Sequence, residues 1–425
     1  MPVTPADDLL AFIDAAPTPF HAVAEAAGRL RAAGFAEMDP AARWQPGGPA
    51  FVAQAGSLIA WAAPEGDPAR PMRLIAAHTD SPNLRIKPRP DIGAAGFRQL
   101  DVEPYGGLLM NSWLDRDLGL AGRVVVRSGS RDLATRLFRD DRPLLRVPQL
   151  AIHLDREISE RGLLLNRQQH LTPVWGLGPA SDGDFVSWLA EVSGVGSGDV
   201  LGWDAMCHDT LPAGFIGANE ELISAPRLDN LCSCFGAVSA LIAAVDASAE
   251  VLPAIALLDH EEVGSGSATG ADSVLLRSVL ERLVSARGGD SEDLIRSCAA
   301  SMCLSADMAH GTHPNYPDRH EPNHRIALGG GPVIKTNLNQ RYSTDGETGA
   351  RFRLLCDRMG VPVQEYSHRN DLPCGSTIGP IVSARLGIPT LDVGMAQLSM
   401  HSIRELMASA DVAMMVEVFA AWLTT

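Results

Sequence analysis

The sequence predicts an α/β fold, a sheet covered by helices on both faces, with a second, β-rich domain inserted into it. Three observations carry this expectation. From residue 224 onward, apolar strand-like runs alternate with long helical patterns, and the N-terminal stretch has the same texture. Between about 90 and 220 that texture gives way to short β-rich runs separated by Gly, Pro and Asp clusters. Finally, 425 residues with 46% hydrophobic content can bury enough core for two domains. Alternating strands and helices favour a sheet buried on both faces.

The elements follow in order. DDLLAFIDAAPTPFHAVAEAAGRLRAAGF reads as two amphipathic helices broken by Pro17 and Pro19 and closed by Gly34. FVAQAGSLIAWAAP and MRLIAAHTDSP are strand-like. The middle segment offers β-rich runs such as RVVVRSG and LLRVPQLAIHL, the latter placing His153 on a strand pattern. RLDNLCSCFGAVSALIAAV then reads as helix, VLPAIALLDHEE as strand, SVLLRSVLERLVSA as helix and SMCLSADMAHG as strand. TIGPIVSARLG suggests a helix, IPTLDVGM a strand, and ADVAMMVEVFAAWLTT a terminal helix.

Charge and composition exclude several classes. A formal charge of −16 argues against nucleic acid and anionic membranes as partners. No apolar stretch approaches the roughly 20 residues that span a bilayer. The opening residues, MPVTPADDLLAFIDAA, carry acids where a signal peptide needs bases, so a cytoplasmic location is expected. Seven irregularly spaced cysteines suit reduced thiols, and Cys232 and Cys234 suit core packing.

Several strand ends carry metal-ligand chemistry. MRLIAAHTD ends in His78 and Asp80, SAPRLDN offers Asp229 at a helix start, and LLDHEE offers Glu261 and Glu262. CLSADMAHG offers Asp307, and QLSMHS offers His401. Singly these are weak, since an Asp at a helix start usually caps it and a lone His is usually structural. Jointly they are stronger, because open α/β sheets build sites outside the carboxyl ends of their strands.

Two imidazoles with three carboxylates suit a pair of zinc ions, one carboxylate bridging. His78, Asp229, Glu262, Asp307 and His401 make that set. Glu261 is left over, and a two-metal hydrolase needs a general base that is not itself a ligand. On an extended strand the two glutamates point to opposite faces, so one could bind metal while the other takes a proton. GSGSATG is one residue too long for a dinucleotide fingerprint, and no G-x-S-x-G elbow is present. The histidines of HGTHPNYPDRHEPNH, residues 310 to 324, match no common zinc spacing and suggest a loop lining the site.

AAHTDSPNLRIKP, NSWLDRDLGLAGRV, SAPRLDN, LLDHEEVGS, SADMAHGTHPNYPDRHEPNH, GGPVIKTNLNQRY and MHSIRE together resemble the motifs of the M18 metallopeptidases, the aspartyl aminopeptidases. The likeness runs from PTPFH to the C-terminus. It implies a zinc exopeptidase-like mixed sheet flanked by helices, residues 1–87 and 224–425, with a β-rich dimerisation domain at 88–223. It implies two zinc ions held by His78, Asp229, Glu262, Asp307 and His401, with Asp229 bridging. Asp80 would orient His78, and Glu261 would be the base. The implied substrates are peptides with N-terminal Asp or Glu, and the implied assembly is dimers forming a tetrahedral dodecamer. His153 would reach from a neighbouring subunit into the site, binding substrate and aiding catalysis.

Substrate choice turns on the two lysines. Of 35 basic residues only Lys87 and Lys335 are lysine. Acid recognition by an anionic protein needs a local cation, and a compact ammonium suits a short pocket better than arginine's fork. The resemblance gives this role to Lys335, with Tyr342 as a nearby donor. Lys87, near the domain junction, is the weaker candidate. Rival readings are a related two-metal deacylase or carboxypeptidase, a non-catalytic metal-stabilised binding protein, and a nucleotide-binding oxidoreductase. Glu261 argues against the second rival, and the defective Gly pattern against the third.

Overall fold

The structure is a computed structural model that describes residues 3–45, 47–62, 66–245 and 250–425. The chain divides into one unit comprising Met1–Asp80, Ala213–Met400 and Glu405–Thr425, and another comprising Ser81–Pro212 and His401–Arg404.

The first unit is built on a nine-stranded sheet. Its order is Ala36–Glu37, Ala50–Gln54, Ser57–Trp61, Leu252–Leu258, Met72–His78, Met302–Ala306, Thr390–Gly394, Val333–Thr336, Gln364–Ser367. The central strands Leu252–Leu258, Met72–His78, Met302–Ala306 and Thr390–Gly394 run parallel to one another. Ser57–Trp61 and Val333–Thr336 join antiparallel, which makes the sheet mixed. Every residue of Leu252–Leu258 is buried, as expected for a strand covered on both faces.

Alternate strand residues feed two cores. Ile75, Ala77, Ile255 and Leu257 pack with Leu9, Phe12, Leu30, Phe235 and Phe419, which come from helices Pro5–Ala15, Pro19–Ala32, Leu228–Ala243 and Ala410–Thr424. Leu74, Ala76, Ala254 and Ala256 face the other way, onto Leu276, Leu283, Leu294 and Val382 of Leu275–Ala286, Ser291–Ala300 and Gly379–Leu386. The N-terminal helices start as their sequence dictates. Pro5 and Pro19 occupy first-turn positions that need no N–H donor, behind Thr4 and Thr18 caps. Gly34, at φ 87°, turns the chain out of the second helix.

In the second unit, six strands close a barrel in the order Val200–Asp209, Asn83–Ala94, Phe97–Tyr105, Val174–Leu177, Asp132–Arg146, Asp117–Ser128. Closure removes free sheet edges. Leu84, Leu100, Leu120, Val124 and Phe138 fill the barrel, with Phe185 and Leu189 of helix Asp184–Ser193. The barrel begins at Asn83, ahead of the expected limit at 88, because that strand pairs with Phe97–Tyr105 from its first residue. Strand Gly214–Ile216, expected in the insertion, and strand Leu222–Ala225, which straddles the expected limit at 223, belong to a small sheet of the first unit, where Leu222–Ala225 pairs with Glu405–Ala408.

Two local expectations are corrected. His153 is not on a strand: Asp132–Arg146 ends before Pro148, which has no N–H for a ladder, and His153 sits in the exposed 3-10 turn Ile152–Leu154. The strand expected through Glu262 stops at Leu258. His260 takes a left-handed conformation, φ 67°, and Glu261–Val263 forms a 3-10 turn. The two glutamates therefore diverge by helical rotation rather than by strand alternation.

Candidate metal centre

His78 closes the strand Met72–His78 and is 1% exposed. Its Nδ1 lies 2.9 Å from the Asp80 carbonyl oxygen. A carbonyl only accepts, so Nδ1 carries the hydrogen and Nε2 is left with the lone pair a metal needs. The Asp80 carboxylate is farther from the ring, 3.5 Å. Asp80 thus orients His78 chiefly through its backbone. Its side chain serves the glutamate turn instead, accepting from the N–H groups of Glu261 at 3.0 Å and Glu262 at 3.1 Å.

Around His78 Nε2 stand Asp229 Oδ1 at 3.3 Å and Asp307 Oδ2 at 3.8 Å. One ligand atom from each of His78, Asp229 and Glu262 lies within 4.8 Å of the others. Asp229 was expected at a helix start, but the backbone is more specialised there. Arg227 is left-handed at φ 58°, the Asp229–Asn230 peptide is cis, and regular helical angles begin only beyond Asn230. The Asp229 N–H donates to Glu405 Oε2 at 2.9 Å, and Asn230 Nδ2 donates to the Ala306 carbonyl at 2.7 Å. Asp307 follows strand Met302–Ala306 and is fixed by its own N–H, which donates to the Val393 carbonyl at 3.0 Å.

The electrostatics fit a cation. Burial opposes charge on the His78 ring, yet Asp229, Asp80 and Glu261 outweigh it and hold its pKa well above the ordinary value. Burial also pushes the Asp307 carboxyl up, against the pull of Lys335. Glu261 is pushed up to about 8, first by burial, with His78 opposing and Asp307, Glu262 and Asp229 adding to the rise. Acids that share protons at such distances are relieved when a divalent cation takes the protons' place. One imidazole nitrogen amid carboxylate oxygens is a donor set suited to zinc.

His401 lies in His401–Arg404, which groups with the second unit. It is left-handed at φ 67°, a conformation worth noting because strained backbone concentrates at functional sites. Its Nδ1 donates to the Gly107 carbonyl at 3.1 Å, the same tautomer as His78. Lys335 is 2% exposed, its Nζ donating to the Asp307 carbonyl at 2.8 Å, the Met308 carbonyl at 3.2 Å and Asp307 Oδ1 at 3.3 Å. The ring of buried Tyr342 lies 5.1 Å from that Nζ. Lys87 instead pairs with Asp101 at 2.9 Å inside the barrel unit.

Of the histidines in residues 310–324, His310 ends the strand Ala309–His310 and packs on the Tyr366 ring at 6.1 Å, while the other three bond within their own loop. His320 Nε2 accepts from the His313 N–H at 3.0 Å, and His324 pairs with Glu321 at 2.6 Å. Buried acids absent from the candidate residues above include Glu405, Asp392 and Asp411, each 2% exposed or less. For Asp392 a signal was present: an acid within an apolar strand, as in IPTLDVGM, must have a buried partner.

Residues 12–423 match the family model for the aminopeptidase I zinc metalloproteases (M18). A probable M18 family aminopeptidase 2 of Streptomyces avermitilis is 53% identical over 410 residues, covering 95% of this chain and 94% of its own length. The Mycobacterium tuberculosis protein of the same name is 53% identical over 416 residues, 96% of this chain and 95% of its own. Among solved structures, the Ape4 and Nbr1 complex gives a TM-score of 0.95 at 36% identity, covering 99% of this chain and 85% of that one. The S. cerevisiae mApe1 dodecamer gives 0.86 at 29%, covering 98% and 95%.

Proposed function

This chain belongs to the aminopeptidase I (M18) family of zinc metalloproteases, and from that premise we propose that it is a dinuclear zinc enzyme releasing N-terminal Asp and Glu from peptides. The observation that carries the reading is the placement of His78 Nε2 against Asp229 and Asp307, with Glu262 in ligating reach and Glu261 beside it.

His78, Asp229, Glu262, Asp307 and His401 would hold the ions. Bound zinc supplies Lewis acidity, polarising the scissile carbonyl and lowering the pKa of water. Glu261 accepts the proton of the attacking water at its carboxylate and delivers it to the nitrogen of the leaving amine. Asp80 keeps the Glu261 and Glu262 backbones in place through both steps. An acidic substrate side chain would be met by Lys335. Its three acceptors lie at 2.8 to 3.3 Å, and an incoming carboxylate would compete with them for the ammonium. Tyr342 lines the same spot.

We also propose a homo-oligomer, of dimers and ultimately a dodecamer, in which His153 enters a neighbour's site. In support, Leu150, Ile152 and Leu154 beside it are 57%, 54% and 75% exposed, an apolar cluster suited to burial against another subunit. All seven cysteines are free, which suits a reducing compartment such as the cytoplasm. No helix among the described residues is long and apolar enough to cross a membrane.

The test is zinc analysis with a panel of aminoacyl reporters. Asp and Glu reporters should be cleaved fastest and N-blocked ones not at all. Lys335→Ala should lower kcat/KM for the acidic reporters by about tenfold or more, and for neutral ones much less. Equal cleavage of blocked substrates would favour a deacylase.

A further inference from the structure

The sheet carries a buried polar row of which the chemistry above uses only Lys335. Ser305 stands opposite Asp392, Asp392 opposite Lys335, and Lys335 opposite Tyr366. Residues directly opposite on neighbouring strands project from the same face, so the four stand side by side. Ser305 and Asp392 are fully buried. A carboxylate there is costly unless its charge is compensated and its oxygens accept hydrogen bonds.

Both conditions are met, and by separate stretches of chain. Asp392 Oδ1 accepts from Thr377 Oγ1 at 2.5 Å, and Oδ2 accepts from the Ser343 N–H at 2.6 Å. The Asp392 N–H donates to Thr344 Oγ1 at 2.8 Å. Gly379 closes over the carboxylate, where even a Cβ would meet Oδ2 at 2.6 Å. Burial pushes the Asp392 carboxyl up, and the Lys335 ammonium opposes that rise. Asp392 therefore ties two segments, 342–344 and 377–379, to the strand neighbouring Lys335. The first segment presents Tyr342 against the lysine.

We propose that Asp392 is a positioning residue for recognition of the released amino acid: through Ser343 and Thr377 it fixes Tyr342 beside Lys335. This rests on the reading of Lys335 and Tyr342 as the acid-recognising pair. Asp392 itself touches no substrate. Its work is to stop the Tyr342 segment from shifting when the lysine exchanges a partner for the incoming carboxylate.

The experiment compares wild type, Thr377→Val, Thr377→Ser, Asp392→Asn and Lys335→Ala as zinc-loaded enzymes, with zinc content measured for each. The readout is the ratio of kcat/KM for an Asp reporter to that for a Leu reporter. Thr377→Val, which keeps the shape and should fold even if Asp392→Asn does not, should lower this ratio at least about fivefold, mainly through KM. Thr377→Ser should restore it, and zinc content should not change. If Lys335→Ala loses the preference while Thr377→Val keeps it, Asp392 is not a positioning residue. Equal losses for both reporters, or no rescue by serine, overturn the proposal likewise. A wild-type enzyme without any acid preference overturns the underlying reading of Lys335, and this proposal with it.

Discussion

The Asp80 carboxylate accepts a hydrogen bond from the Glu261 backbone N–H at 3.0 Å, and with its other oxygen one from Glu262. One fully buried side chain thus holds Glu261 and Glu262, the proposed base and the proposed ligand, while the Asp80 carbonyl holds His78. Asp80→Ala should leave two part-buried N–H groups without these acceptors, at about 1 kcal/mol each. Activity should fall by more than about tenfold even when zinc is in excess. Full turnover of a zinc-saturated Asp80→Ala enzyme would show that the turn holds itself.

The two glutamates should fail differently. Glu261→Gln should keep its zinc and its fold yet lose most turnover, because an amide does not accept the proton. Glu262→Gln should lose occupancy of one zinc, since a neutral group replaces an anionic ligand. Metal analysis with kinetics decides it, and loss of zinc from Glu261→Gln alone would reverse the two roles.

His153 should act in trans. His153→Ala should reduce activity without loss of zinc. Mixing it with Glu261→Gln under conditions that exchange subunits should recover some activity, since a site with intact Glu261 then receives the partner's histidine. No recovery despite proven exchange would put His153 to work within its own subunit.

Asp411 should tie stability to pH. It is fully buried at the start of Ala410–Thr424, accepting from the N–H groups of Gly329 at 2.8 Å and Gly331 at 3.0 Å. Burial pushes its pKa from 3.8 to about 6. Between these values the folded chain binds the proton more tightly than the unfolded one. Its contribution to stability therefore declines as pH rises from about 4 to about 6, by on the order of 3 kcal/mol, and is flat above. Asp411→Asn abolishes that titration, so its melting temperature relative to wild type should climb across this window. A difference that stays constant with pH would rule the linkage out.

The sequence by itself determined the α/β class and the acids and histidines at the strand ends. Both are local: apolar runs of strand length show in the composition, and a charged residue ending such a run is visible without knowing its neighbours. The helices broken at Pro17 and Pro19 were legible for the same reason, since proline's ring fixes where a helix can begin. Which residues meet was not local. Asp80 reads as a companion of His78 because it is two residues away, yet its carboxylate is spent on Glu261 and Glu262, 181 and 182 residues on. Glu261 and Glu262 were expected at a strand end, but the left-handed His260 turns them into a 3-10 turn, a backbone choice set by the loop that follows. Lys335 stood out by composition, as one of two lysines among 35 basic residues. Only the tertiary fold buries it between Asp307 and Asp392, because strand order, which no local pattern encodes, decides which strand lies beside which.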